Sequence, residues 1–111
     1  MNLHALRLFT KVAELKSVSK AAQALMISQP AVTIQIRNLE KDLELTLLES
    51  KGRGITLTQN GEFLFKQAQR LFDLELDIEN KLEQLKKIQG MRNYKLLLHV
   101  PSHFFITEMV S

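Results

Sequence analysis

Leu3, Leu6, Phe9, Val12 and Ala13 recur at the three-and-four spacing of one helix face, and Leu8 and Leu15 widen the stripe. The pattern predicts a helix over residues 3–15, broken by Lys16-Ser17. A second, short helix is expected over residues 19–25, with the Ser19 hydroxyl as its cap. Ala21 and Ala22 fall inside it, and such small side chains let another helix cross closely, as a tight helix-turn-helix requires. Met26-Ile27 reads as the turn. Ser28 is a good cap for a third helix, and Pro30 fits its first turn, where an amide hydrogen needs no partner. At about 100° per residue, Val32, Ile36, Leu39 and Leu43 fall within about 60° of one another and predict the core stripe. Gln29, Pro30, Thr33, Ile34 and Arg37 are left for the other side, which is largely polar for no reason a core would supply.

The period then changes. In LLESKGRGITLT, Ile55 and Leu57 alternate with Thr56 and Thr58, a strand signal, and Leu47-Leu48 can form the partner. Lys51-Gly52-Arg53-Gly54 becomes a hairpin tip, its two glycines permitting positive φ and its two cations pointing outward. Thr58 can cap a long helix reaching to about residue 89, with Gly90 as its end. Its apolar seam is Leu64, Ala68, Leu71, Ile78, Leu82 and Leu85, spaced four-three except at Glu75. Such a helix is roughly 45 Å long at 1.5 Å per residue, too long to bury its seam against so small a domain. A second copy of the chain is the expected cover. Residues 94–101 read as one strand that lacks a partner, so the last 20 or so residues look like the opening of a further domain.

The fold class expected is mainly α: a winged helix-turn-helix of three helices plus a two-stranded wing, then a long dimerising linker helix and one stray β-strand. The expected units are residues 1–58 for the winged helix-turn-helix, 59–90 for dimerisation and 91–111 for the start of a further domain.

Composition narrows the function. Hydrophobic residues make up 45% of the 111, enough for a packed core. With no cysteine, disulfides, thiolate nucleophiles and cysteine-based zinc sites are excluded. His4, His99 and His103 lie far apart without carboxylates at ligand spacing, so neither a metal nor a cofactor is expected. No nucleophile–base set and no phosphate-binding glycine loop is visible, which argues against an enzyme. No run approaches a membrane span and no signal peptide is recognisable, so a cytoplasmic protein without membrane contact is expected. The net charge of +3 is concentrated: residues 1–58 carry 8 Lys/Arg against 5 Asp/Glu. A polyanion would find its excess there.

Helix, short helix, turn, helix and basic hairpin are the order of a DNA-reading module. The start of a recognition helix faces base edges in the major groove. There Gln29 can bond bidentately to adenine, and Thr33 can bond a base or place its methyl on thymine. Arg37, farther along, suits a phosphate or a guanine. Arg53 at the tip can enter a narrow A·T minor groove, with Lys51 beside it. Ser19, Lys20 and Ser28 join the DNA-facing set, since hydroxyls and free amides at helix starts hold phosphates. Each has a plainer reading: Gln29 as a helix-start residue, Thr33, Arg37, Lys51 and Arg53 as solvated surface, the serines as caps alone.

These residues carry a resemblance. FTKVAELKSVSKAAQALMISQPAVTIQIRNLEKDLELTLLESKGRGITLTQNGEFLF resembles the N-terminal domain of the LysR-type transcriptional regulators. Ala21-Ala22, Ser28-Gln29-Pro30-Ala31, Gln35-Ile36, Leu39-Glu40 and Leu57-Thr58 to Gly61 follow the family pattern in register. The resemblance implies binding to double-stranded DNA as a homodimer or a dimer of dimers, in bacterial cytoplasm on the nucleoid. It also implies a DNA-binding domain over residues 1–58 and, in a full-length form, a sensor domain of two Rossmann-like lobes where a small-molecule inducer would bind, so that residues 91–111 would be the start of a truncated effector-binding domain. Ser102 falls where members often place a hydroxyl against that inducer. Four positions depart from the pattern. Glu44 stands where the family usually has Gly, Leu48-Glu49-Ser50 stands in place of Phe-x-Arg, and Ile34 stands where many members carry Arg. For Ile34 two consequences stay open: packing on thymine methyls with altered specificity, or weaker affinity for the DNA backbone. The alternative function is a sensor-less dimerisation fragment that pairs with a full-length regulator and modulates it.

Overall fold

The computed structural model describes residues 1–94. Asn2 opens the first helix, α1 (Leu3–Leu15): its Oδ1 accepts hydrogen bonds from the amides of His4 (2.8 Å) and Ala5 (3.4 Å). Leu6, Leu8, Phe9, Val12 and Ala13 are buried, while Leu3 stays half exposed at the helix start. The chain leaves α1 through Lys16 in the left-handed region (φ 54°) and passes at once into α2 (Val18–Leu25).

The cap of α2 is Ser17, not Ser19. Ser17 is extended, and its Oγ accepts from the Lys20 amide at 3.1 Å. Ser19 lies inside the first turn with its Oγ 3.4 Å from that of Ser17. Starting at Val18 aligns Val18, Ala21, Ala22 and Leu25 on one face, and the burial follows that spacing. A start at Ser19 would leave Val18 out of the stripe. At the other end Met26 adopts φ 58°; its amide donates to Gln23 O and the Ile27 amide to Ala22 O, the paired bonds of a Schellman turn.

Ser28 caps α3 (Gln29–Leu43), its Oγ accepting from the Ala31 amide at 3.2 Å. Val32, Ile36 and Leu39 are buried, with Leu43 half buried in the last turn. The three helices pack pairwise on one another. The near-complete burial of Ala21 and Ala22 shows how closely α2 is approached. Helix α3 ends as α2 does, with Glu44 at φ 57° and the Leu45 amide on Glu40 O.

Strands β1 (Leu48–Lys51) and β2 (Gly54–Leu57) pair antiparallel, from Leu48 opposite Leu57 to Lys51 opposite Gly54. Only Gly52 and Arg53 lie between them. Gly52 has φ +61° and Arg53 is not left-handed, the φ pattern of a II′ hairpin turn. One glycine, not two, therefore uses its freedom, since Gly54 is an ordinary strand residue. Leu47 precedes β1 and is fully buried.

Thr58 joins the hairpin to α4 (Gln59–Tyr94). Its amide donates to Leu47 O (3.0 Å), its hydroxyl donates to Thr46 O, and its Oγ1 accepts from the Gly61 amide (3.0 Å). Gly61 is buried against this joint, where a Cβ would run into the Leu47 carbonyl and stand 3.2 Å from Leu57 Cδ2. The helix continues through Gly90, which has nothing within 4 Å of a notional Cβ. A glycine inside a helix costs only about 1 kcal/mol, too little to end one by itself. Tyr94 accordingly belongs to α4, and the rest of the expected strand, residues 95–101, lies outside the described residues. Met1–Leu71 forms one compact unit, so the first turns of α4 belong with the short helices; a second unit begins at Phe72.

Candidate nucleic-acid interface

Helix α3 has two faces with different duties. Val32, Ile36 and Leu39 bind it to the core. On the outer face Gln29, Pro30, Thr33, Ile34 and Arg37 together line one shallow depression of about 410 Å³. Gln29, Pro30, Ile34 and Arg37 are exposed and Thr33 is half buried. Around the helix Gln29 lies nearer the core stripe than the other four. It is open because it is the first helical residue, with no preceding turn to cover it. The Thr33 hydroxyl donates to Gln29 O at 3.1 Å, so its proton is engaged and its oxygen lone pairs remain. Ser28 sits at the head of this face as the cap.

The remaining cationic and hydroxyl candidates stand elsewhere. Ser19 and Lys20 are exposed on the first turn of α2. Lys51 ends β1 and Arg53 sits in the hairpin turn, both exposed. None of the four lines the depression on α3.

Glu40 is the residue whose part was not legible in the chain. Its Oε2 accepts from the Leu47 amide at 2.7 Å and lies 3.4 Å from the Leu48 amide. A carboxylate on the recognition helix thereby holds the entry to the wing. It stands beside Leu39 in a matching motif, but a bond to an amide seven residues on has no periodic signature. The family's glycine at position 44 has a local explanation: it is the left-handed residue after α3, where Glu44 stands at φ 57°.

The seam on α4 needs revision. Ala68 is 1% exposed, so it belongs to the core of its own unit rather than to an open seam. Leu64 is half buried, and Leu71 is more open. Beyond it Leu74, Ile78 and Leu82 are each at least half exposed, and Leu85 partly so. Leu71, Leu74, Ile78, Leu82 and Leu85 run in steps of three, four, four and three. Leu74, rather than Glu75, fills the gap in the expected repeat. Leu76 is also exposed but lies off that stripe. Ser102, the candidate effector contact, lies outside the described residues.

Among the described residues no group of three or more His, Asp or Glu side chains is placed to hold a metal. None of their helices is long and apolar enough to cross a membrane.

A family model described as bacterial regulatory helix-turn-helix protein, lysR family, matches residues 3–62, from the start of α1 to the first turn of α4. The chain belongs to the LysR family. It is 36% identical over 104 residues to the HTH-type transcriptional regulator PtxR of Pseudomonas aeruginosa, covering 94% of this chain and 32% of that protein. It is 37% identical over 100 residues to the HTH-type transcriptional regulator CitR of Bacillus subtilis, covering 90% and 33%. The chain thus spans about a third of the length of these LysR-family relatives. Among solved structures it is similar to the BenM_DBD/catB site 1 DNA complex, with a TM-score of 0.75 and 34% identity over 80% of this chain and 96% of that one. It is similar also to the CbnR_DBD–DNA complex, with a TM-score of 0.69 and 36% identity over 76% and 97%. The fold is the winged helix-turn-helix of LysR DNA-binding domains.

Proposed function

We propose that this chain is the sequence-specific double-stranded DNA-binding module of a LysR-family transcriptional regulator. The observation that carries the reading is the single exposed depression that gathers Gln29, Pro30, Thr33, Ile34 and Arg37 on a helix whose other face is buried. Helix α3 enters the major groove, with the Gln29 amide on an adenine edge and Arg37 on a guanine or a phosphate. Ser19, Lys20 and Ser28 hold backbone phosphates. The wing brings Lys51 and Arg53 to the minor groove. Two copies pair through the exposed stripe of α4, so the operator is an inverted repeat of A·T-rich character. Within a full-length regulator, a small-molecule inducer acts through the domain that follows. The protein works on the nucleoid, in the cytoplasm.

Selection of bound duplexes from a random library, with light scattering for mass, tests this reading. The expected result is one enriched inverted repeat bound by a dimer, with affinity falling steeply as salt rises. A pool with no enriched sequence, or affinity flat in salt, would defeat it. On the enriched duplex Gln29→Ala loses about 1–3 kcal/mol and relaxes the preference at one base pair. Arg53→Ala weakens binding evenly across sequences and lowers the salt slope by about one per site.

A further inference from the structure

We propose that Ile34 reads the 5-methyl group of a thymine, so that this protein distinguishes thymine from uracil at one position of each half-site. The proposal rests on the DNA-binding reading above. Ile34 is 57% exposed in the middle of a largely polar helix face. It lies between Gln29, a hydrogen-bonding amide at one end of the depression, and Arg37, a cation at the other. Beside it Pro30 carries no side-chain donor, and the Thr33 hydroxyl proton is engaged by Gln29 O. The centre of the depression therefore offers carbon and one hydroxyl oxygen, with side-chain donors only at its two ends.

A base edge rich in donors and acceptors would be left unmatched against that centre. The thymine methyl is the one apolar group that base pairs show in the major groove. Ile34 is suited to it, since a β-branched side chain in a helix holds largely one rotamer and presents its methyls in a fixed place. The charge around the site selects the class of partner. Arg37 adjoins Ile34, and the excess of Lys/Arg lies in residues 1–58, which favours a polyanion over an apolar protein surface.

The test uses the full 111-residue chain. The duplex enriched from a random pool is resynthesised with uracil replacing thymine one position at a time. Binding is read by fluorescence anisotropy at one salt concentration, for wild type, Ile34→Ala and Ile34→Arg. Wild type is expected to lose about fourfold at one position per half-site, the worth of one buried methyl. Ile34→Ala is expected to lose less than about 1.5-fold at that position. Ile34→Arg is expected to be equally blind to the methyl and to steepen the salt dependence by about one per half-site. An exposed site tolerates both changes without loss of the fold. Wild type indifferent to uracil at every position, or equal losses in wild type and Ile34→Ala, would overturn the proposal. So would a fall in mass by light scattering on Ile34→Ala, which would make Ile34 a contact between copies. A pool with no enrichment at all defeats the DNA-binding reading instead, and so is told apart from failure of the Ile34 assignment.

Discussion

The chain carries two leucine-rich helical stripes that meet opposite fates. In the unit Met1–Leu71, Leu6, Phe9, Val12, Val32, Leu39 and Leu47 are at most 1% exposed. On α4 past that unit, Leu74, Ile78 and Leu82 stand at least half in solvent. Both sets are large and apolar, and on the helices both recur at helical spacing. The difference is what surrounds them. The short helices turn back on one another through tight left-handed caps and bury their stripes within one chain. A single long helix among the described residues offers its stripe no such return. The lesson is that apolar periodicity predicts which side will be buried, but not whether the cover comes from the same chain.

Cutting one leucine from each stripe separates the closed core from the open stripe most sharply. Leu39→Ala is expected to destabilise the chain by about 2–5 kcal/mol in urea unfolding, because it leaves a cavity in a closed core. Leu82→Ala is expected to change a single chain's stability by less than about 0.5 kcal/mol, while lowering the mass seen by light scattering at low concentration. Equal losses of stability would erase the distinction between the stripes. Glu40→Ala comes next, at about 1.5–3 kcal/mol, since it strips a charged acceptor from the Leu47 amide. Urea unfolding reads that loss, and a shift of the Gly52 and Arg53 amide resonances would show that the wing has moved. A smaller effect than that of Leu39 or Glu40 tunes the closed region: Glu44→Gly relieves a side chain held in the left-handed region and should raise stability by about 1 kcal/mol. A loss there would mean that the Glu44 side chain contributes more than its backbone strain removes.

The spacing of Val32, Ile36 and Leu39 was enough to orient α3, and the alternation around Ile55 and Leu57 was enough to find the wing. These are periodic signals, and each residue carries its own part. What escaped were bonds between residues distant in sequence and choices between equal candidates. Two serines, Ser17 and Ser19, suit a cap equally well, and the Lys20 amide bonds the first, which brings the half-buried Val18 into the helix. Glu40 looks like surface charge until the Leu47 amide is seen against it. Ala68 fits a coiled-coil seam by number, yet its small side chain lets α4 settle into its own unit. Glu44 departs from a family glycine, but its φ of 57° shows that the left-handed cap is kept without one. The outward set on α3 was readable because its polarity has no other use. The depression that joins its five members was not, because it depends on which side chains stand clear of the core.

DNA reading by this chain depends most on the outer face of α3 meeting base edges. A titration of the isotope-labelled chain with its enriched duplex, followed by amide chemical shifts, tests that directly. The largest changes should fall at residues 28–37, with a second group at Gly52 and Arg53, and α1 should be nearly silent. Changes centred on α1, with Gln29, Ile34 and Arg37 unmoved, would contradict it.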